Sequence, residues 1–297
     1  MTFEPIWGAI IAWYLFLAGL GGGAFVTAAL VRWKYPQAAG IRRIGHIIAP
    51  LAVVVGLLLL MIDAKAGLHN PLRFVFLLSN FGSVMTWGVV FLGAFTLLSV
   101  ATAALEFMHR PVPWWLEVAG SVLAVCVAAY TGALLGVCKT FPLWNTAILP
   151  VLFLASAMST GAALVFLAAL LRCRNEFHQI TAALKLHLVF PVVETVLVVA
   201  LLFVTQYNSV AGLESVASLV AGSWAPLFWV GFAVIGLCGP LAMEVWLLFF
   251  APEPFERGSR GRLVSAVANA GVLVGGFLLR FLIVVAALPL VVVTPLF

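Results

Sequence analysis

Four aromatic or acidic side chains near the ends of long apolar segments have the chemistry to bind a ligand dissolved in a membrane: Trp13, Tyr14, Asp63 and Tyr130. A phenol donates a hydrogen bond to a carbonyl oxygen, an indole provides an aromatic wall, and a carboxylate accepts protons. This combination suits a quinone, which has two carbonyl oxygens and exchanges protons together with electrons. The alternative is an aromatic belt, in which Trp and Tyr lie at the membrane interface without binding a ligand.

Further polar groups follow Asp63 in the segment that leads to the next apolar run. His69, Asn70, Arg73 and Asn80 lie within this segment. An imidazole can carry protons between a carboxylate and water, so either Asp63 or His69 could release the protons of a quinol. These groups are predicted to converge with the aromatic residues on one side of a membrane.

The composition places the protein in a membrane before any motif is considered. Of its 297 residues, 65% are hydrophobic and only 8% are charged, and the mean hydropathy is +1.21. A soluble domain needs far more charge to cover its surface. The net charge of +5 does not indicate nucleic acid as a partner, because the basic residues lie in short clusters between apolar runs.

Eight apolar runs are long enough to span a membrane, since a helix needs about 20 residues to cross about 30 Å of hydrocarbon. The sequence therefore predicts an all-α integral membrane protein with eight transmembrane helices. The predicted spans are Ile6–Val31, Ile44–Ile62, Ser83–Leu105, Trp115–Val137, Ala147–Leu171, Leu186–Val204, Ala225–Phe250 and Leu263–Val285.

The basic residues predict the orientation of these spans. The links after the second, fourth and sixth spans contain only Lys65, Arg73 and Lys139. Loops rich in Lys and Arg face the cytoplasm, so we predict a multi-pass protein of the cytoplasmic (inner) membrane of a prokaryote, with both termini outside. The links after the first, third, fifth and seventh spans contain Arg32, Lys34, Arg42, Arg43, Arg110, Arg172, Arg174, Lys185, Arg257, Arg260 and Arg262.

The two halves of the sequence resemble each other weakly. Four crossings return the polypeptide to its starting side, so duplication of a four-span unit would give two parallel four-helix bundles. We predict a first bundle over residues 1–140, which binds the quinone, and a second over residues 141–297. Small-residue stripes, which let helices approach closely in lipid, support this prediction. They are Gly19, Gly23 and Thr27 in the first span, and Ala155, Ser159 and Ala163 in the fifth.

Three charged residues lie inside the predicted spans of the second half: Glu194, Glu244 and Arg280. Charges within a membrane are costly, so they either pair or carry a function. Glu194 and Arg280 fall near mid-membrane and could form an ion pair that removes a buried charge. The alternative is a proton path from Glu244 through Glu194 towards Asp63.

No haem or metal site is predicted in this protein. A haem in a membrane anchor needs histidines deep in facing helices, whereas all five histidines here are predicted to lie in links or at span ends. His187 and Lys185 are expected to be interfacial anchors, and the four cysteines lack the spacing of metal ligands. The histidines are His46, His69, His109, His178 and His187.

Three motifs in the first half resemble, in order, those of one known family. Residues 13–25 (WYLFLAGLGGGAF) resemble the first helix of the NrfD-like family, the membrane subunits of polysulfide reductases and related enzymes. Residues 69–74 (HNPLRF) and 83–88 (SVMTWG) resemble the stretch that enters its third helix. Residues 130–135 (YTGALL) resemble its fourth-helix motif. The second half matches mainly in the number and spacing of its spans.

This resemblance implies an eight-helix, haem-free subunit that binds menaquinone or ubiquinone within its first four helices. It implies docking on the outer face to a ferredoxin-like iron–sulfur protein, which connects to a molybdopterin catalytic subunit. A fourth-helix tyrosine contacts the quinone in that family, and Tyr130 matches it. Some members have a histidine at the first-helix contact, near which Tyr14 stands here.

Together, the residues and the resemblance predict a subunit that passes electrons between the quinone pool and its iron–sulfur partner. Tyr130 and Asp63 are assigned to the proton chemistry. Two alternatives stay open at this point: a secondary transporter, which would also contain repeated bundles and buried charges, and a tether that does not bind quinone. The predicted quinone-binding residues are Trp13, Tyr14, His69, Arg73 and Tyr130.

Overall fold

The described part of the protein forms eight long helices, as the hydropathy predicted. The computed structural model describes residues 7–63, 76–173, 176, 180–251 and 258–290, and no strand occurs among them. All eight helices are long and apolar enough to cross a membrane, which confirms the all-α membrane fold. They are α1 (Ala9–Lys34), α2 (Ala39–Asp63), α3 (Val84–Phe107), α4 (Trp114–Gly136), α5 (Ile148–Arg172), α6 (Ala183–Asn208), α7 (Leu227–Phe249) and α8 (Ser259–Val285).

The ends of the helices form two faces of the bundle. The amino-terminal face contains the start of α1 and the end of α2. The basic face contains the end of α1 and the start of α2. Two ion pairs described below lie there, one between α1 and α4 and the other between α2 and α3. The assignment of the basic face to the cytoplasm stays a prediction. Among the described residues the basic face carries Arg32, Lys34, Arg42, Arg43, Arg110, Arg172, Lys185, Arg260 and Arg262.

Helices α1 and α5 lie at the centre, since α1 contacts α2, α4, α5 and α8. The two central helices approach most closely at Gly23 and Gly161, where a Cβ on either glycine would overlap the backbone of the other helix. Ala157 also contacts Gly23, so the contact surface of α5 includes Ala157 and Gly161. Helix α1 contacts helices from both halves of the protein. The predicted division into two bundles at residue 140 stays a prediction.

Helix α2 begins at Ala39, five residues before the apolar run that predicted it. This start places His46 inside the helix, where its side chain is fully buried. His187 is also buried, near the start of α6. The prediction that every histidine lies in a link or at a span end is therefore wrong for His46, and His187 is not an interfacial anchor. Hydropathy could not predict that these two histidines are buried, because it does not register the buried carboxylate that each imidazole contacts.

Two irregular features lie in the second half of the protein. Helix α7 begins as a π-helix over Leu227–Cys238 and continues as an α-helix from Gly239. Gly236 in this π-helix packs directly against Gly275 of α8, so the two backbones are in contact. A shorter helix, Val210–Val220, connects α6 to α7 and packs against the end of α6.

Candidate functional site

A cavity of about 540 Å³ lies between α1, α2, α3 and α4, towards the amino-terminal face. Its volume is in the range of about 300–1,000 Å³ that is usual for small-molecule sites. Most of its surface is apolar, and the polar side chains are few. It is lined by Trp7, Ile11, Tyr14, Leu57, Leu60, Met61, Asp63, Met85, Gly88, Val89, Leu92, Gly93, Tyr130 and Leu134.

The structure brings Tyr14, Tyr130 and Asp63 together in this cavity. Tyr14 is 1% exposed and Tyr130 is 7% exposed, and the two phenols are close enough to interact electrostatically. Asp63 is partly exposed at the end of α2. The cavity thus contains two buried hydroxyl groups that can donate hydrogen bonds and, at the end of α2, one carboxylate.

A glycine makes room for one of these hydroxyl groups. Gly88 of α3 faces Tyr130, and a Cβ at Gly88 would overlap the phenol ring and its hydroxyl oxygen. Because no side chain intervenes, the tyrosine packs directly against the α3 backbone. Gly88 therefore fixes where the Tyr130 hydroxyl lies in the cavity.

One wall of the cavity depends on the second half of the protein. Trp7 lines the cavity and stacks on Trp144, with ring centroids 5.2 Å apart. Trp144 belongs to the link between α4 and α5, and its Nε1 donates a hydrogen bond to the Ile283 carbonyl of α8 at 2.7 Å. The first four helices therefore do not complete the site alone.

Trp13 does not line this cavity. Its ring stacks on Phe277 of α8 with centroids 4.1 Å apart, on another side of α1 from Tyr14. Adjacent residues on an α-helix point in directions about 100° apart, which is why the two neighbours separate. His69 and Arg73 lie outside the described residues.

The charged residues of the second half form a connected group. His187 Nδ1 lies 3.4 Å from Glu244 Oε2, and His187 Nε2 lies 2.9 Å from the Ser159 carbonyl oxygen, to which it can donate. Glu194 interacts electrostatically with both His187 and Arg280. The sequence prediction included both glutamates and the arginine but missed His187, which links them. The sequence did contain a signal for His187, since this histidine lies only seven residues before Glu194 on the same helix.

Arg280 is fully buried and has several partners. Its guanidinium donates to the Gly276 carbonyl at 2.8 Å, to Ser156 Oγ at 3.1 Å and to the Phe153 carbonyl at 3.3 Å. Ser156 also hydrogen-bonds Glu194. The pairing of Glu194 with Arg280 through Ser156 removes an uncompensated charge from the interior.

Another buried charged cluster, which was not predicted from the sequence, lies at the basic face between α1, α2, α3 and α4. Arg42 Nε lies 2.7 Å from Glu106 Oε1, and His46 Nδ1 lies 3.2 Å from the same oxygen. Arg32 is 2.8 Å from Glu117, whose carboxylate is 3.7 Å from His46 Nε2. The available signal was Glu117, an acidic residue two positions inside a predicted span.

The comparisons with known proteins agree with this architecture. The family model described as "Polysulphide reductase, NrfD" matches residues 1–292. The chain belongs to the NrfD family. It is 35% identical to "Protein NrfD" of Escherichia coli (strain K12) over 313 residues, which cover 95% of this chain and 94% of that protein.

Two other relatives are named as parts of reductases. The sequence is 34% identical over 310 residues to a protein of Wolinella succinogenes that is named as one of the chains of polysulfide reductase, covering 95% of this sequence and 94% of the relative. It is 23% identical over 336 residues to a protein of Mesobacillus selenatarsenatis that is named as one of the subunits of selenate reductase, covering 97% and 75%. Within the described part of the protein, no group of three or more His, Cys, Asp or Glu residues is placed to hold a metal ion.

Proposed function

We propose that this protein is the membrane subunit of a molybdenum-dependent reductase complex and passes electrons between the quinone pool and an iron–sulfur partner. The observation that carries the proposal is the cavity that Tyr14, Tyr130 and Asp63 line together. The NrfD membership and the relatives named as parts of reductases support the assignment to such a complex. The partners are a ferredoxin-like iron–sulfur subunit and a molybdopterin subunit, which dock on the outer, amino-terminal face.

The residues of the cavity fit the chemistry of quinol oxidation. Tyr130 and Tyr14 donate hydrogen bonds to the two oxygens, and the apolar walls hold the ring and exclude water. Oxidation of a quinol releases two electrons and two protons. Asp63 accepts the protons in turn and releases them at the amino-terminal face, while the electrons leave to the partner. Reduction of a quinone follows the same steps in reverse.

The proposal is tested with the purified complex by measuring binding of a fluorescent quinol analogue and quinol-linked electron transfer. Tyr130→Phe should weaken binding about tenfold, because it removes a buried hydrogen bond. Asp63→Asn should lower turnover at least about 100-fold, because a general base is lost. Tyr207→Phe, at an exposed tyrosine, is the matched control and should change neither quantity.

The outcome also separates the two alternatives. If both site variants retain full binding and turnover, the site assignment is wrong. If the wild-type complex binds no quinol analogue at all, the protein is a tether or a transporter, and transport assays in proteoliposomes then decide between these two.

We further propose that the second half of the protein conducts protons. The supporting observation is the connected group of Glu244, His187, Glu194 and Arg280, which runs inwards from the half of the bundle near the basic face. Each of these side chains is buried and either contacts the next one or interacts with it electrostatically. Protons could therefore pass along the group without exposing a full charge to lipid. The competing role is a purely structural ion pair of Glu194 with Arg280.

A further inference from the structure

One side wall of the cavity is a stripe on α3. Met85, Val89 and Gly93 line the cavity and follow each other at four-residue spacing, so they share one face of the helix. Another wall of the cavity belongs to α2. Its apolar residues there are Leu57, Leu60 and Met61, and α2 also contributes Asp63 at its end.

This side of the cavity opens to the outside of the helix bundle. Met85 is 51% exposed and Gly93 is also exposed, although both line the cavity. A Cβ built at Gly93 would have no heavy atom of the described residues within 4 Å. At this height, the outside of the bundle is the hydrocarbon layer, so the opening faces lipid.

The two tyrosine hydroxyl groups lie on other walls, in the interior, and Asp63 lies at the end of α2. Tyr14 is buried on the central helix α1, and Tyr130 is buried against Gly88. The opening on α3 is therefore apolar, and a ligand that entered there would meet the hydroxyl groups only once inside.

Helices α2 and α3 are joined at the opposite end. Arg42 at the start of α2 pairs with Glu106 at the end of α3, at 2.7 Å, and His46 contacts the same carboxylate. The two helices are thus held together at the basic face, while residues nearer their other ends line the cavity.

We propose that the gap between α2 and α3 at Gly93 is a lateral portal for a quinol with a long isoprenoid tail. The quinol enters through it from the hydrocarbon layer, and the tail stays in the gap during turnover. This inference rests on the proposed quinone site. An isoprenoid tail has no polar group, so it stays in apolar surroundings, and a tail longer than the cavity must leave it through an apolar opening.

The test compares two substrates on the purified complex: a quinol with a long isoprenoid tail and the same ring without a tail. Gly93→Phe should lower kcat/KM for the long-tail quinol at least about tenfold, because the phenyl ring fills the portal. Gly93 also lines the cavity, so the informative quantity is the difference between the two substrates: the loss for the tailless quinol should be at least about fivefold smaller, since a ring without a tail does not occupy the gap. Leu97→Phe is the control: Leu97 lies one turn further along α3, is exposed, and does not line the cavity.

A graded series of variants guards against a folding defect. Gly93→Ala, Gly93→Leu and Gly93→Trp fill the gap to increasing extents, and each complex is first shown to unfold at the wild-type midpoint. The larger side chains should progressively slow oxidation of the long-tail quinol more than that of the tailless quinol. Equal loss with both quinols, or no loss with either, would overturn the portal and leave the quinone site standing. Failure of the unmodified complex to oxidise either quinol would instead refute the site.

Discussion

His187 Nδ1 lies 3.4 Å from Glu244 Oε2, and both side chains are buried between α6 and α7. A similar pair occurs between α2 and α3, where His46 Nδ1 lies 3.2 Å from Glu106 Oε1. The two pairs differ in their surroundings. Arg42 holds Glu106, whereas no Lys or Arg of the described residues forms an ion pair with Glu244. The first pair is therefore held within an ionic cluster, and the proposed proton path needs a pair of the second kind, in which no additional cation holds the carboxylate.

Glu106→Gln should destabilise the protein by about 1–3 kcal/mol, because it leaves Arg42 and His46 without their charged acceptor. The loss is measured as a lower thermal unfolding midpoint in detergent. Glu214→Gln, at an exposed position on the short helix Val210–Val220, is the matched control and should stay within about 0.5 kcal/mol. An unchanged midpoint for Glu106→Gln would show that the cluster contributes little to stability.

Glu194→Gln should lower the membrane potential generated per quinol oxidised, because an amide cannot pass protons on from His187. The measurement uses the complex reconstituted in vesicles with a potential-sensitive dye, and Glu214→Gln is again the control. Normal turnover with unchanged coupling would end the proton-path proposal and leave the ion pair with Arg280 as the role of Glu194.

Gly88→Ala should displace Tyr130 and weaken binding of a quinol analogue, because the added methyl group overlaps the phenol. We expect a loss of about tenfold, similar to removal of the hydroxyl hydrogen bond. The control is a double-mutant cycle: in a Tyr130→Ala background the methyl group meets no ring, so Gly88→Ala should cause little additional loss. Equal losses in both backgrounds would show that Gly88 acts independently of Tyr130.

Gly161→Ala should destabilise the packing of α1 on α5, because its Cβ would overlap the backbone of Gly23 and Ala24. Overpacking of this kind typically costs about 1–3 kcal/mol. The expected result is a lower unfolding midpoint in detergent. Gly8→Ala has no heavy atom of the described residues within 4 Å of the new Cβ and should leave the midpoint unchanged.

Two native cysteines test the orientation of the faces. Cys138 follows α4 and Cys173 follows α5, so they lie at opposite ends of the bundle. In a protein with Cys126→Ala and Cys238→Ala, a membrane-impermeant maleimide should label Cys138 in intact spheroplasts. Cys173 should react only after permeabilisation. The reverse pattern would place the quinone cavity on the cytoplasmic side.

The same labelling should depend strongly on pH. Burial raises the pKa of the Cys138 thiol, and burial followed by the Glu176 carboxylate raises the pKa of Cys173. A raised pKa leaves less thiolate at neutral pH, and the thiolate is the reactive form. Labelling of both cysteines should therefore accelerate about tenfold per pH unit above neutrality, up to the pKa of each thiol.

The number of helices could be predicted from the sequence because burial in lipid demands long, nearly uncharged helices. Their ends were harder to predict. Helix α2 begins at Ala39, and its early arginines Arg42 and Arg43 lie near Glu106, whose carboxylate compensates their charge. Hydropathy counts each residue alone, so it cannot detect a partner 64 positions away in the sequence.

The sequence also predicted only part of the candidate site, because it gives the position of a residue along its helix but not the packing between helices. Tyr14 and Tyr130 could be grouped because they lie at a similar depth, and Asp63 because it ends its helix on the same side. Depth does not give the direction of a side chain around the helix axis, so it could not predict that Trp13 packs on Phe277 and not on the cavity that Tyr14 lines. The contact between Gly88 and Tyr130 needs the distance between α3 and α4, which only the packed structure provides.

The hydrogen bond from Trp144 to Ile283 has a consequence for biosynthesis. Ile283 is synthesised 139 residues after Trp144, when the first four helices have already left the ribosome. Until α8 inserts, Trp144 lacks its anchor, and the Trp7 wall that stacks on it has no fixed support. A nascent polypeptide that lacks α8 therefore has an incomplete cavity wall, and the proposed binding site is completed only after the last of the eight helices has inserted.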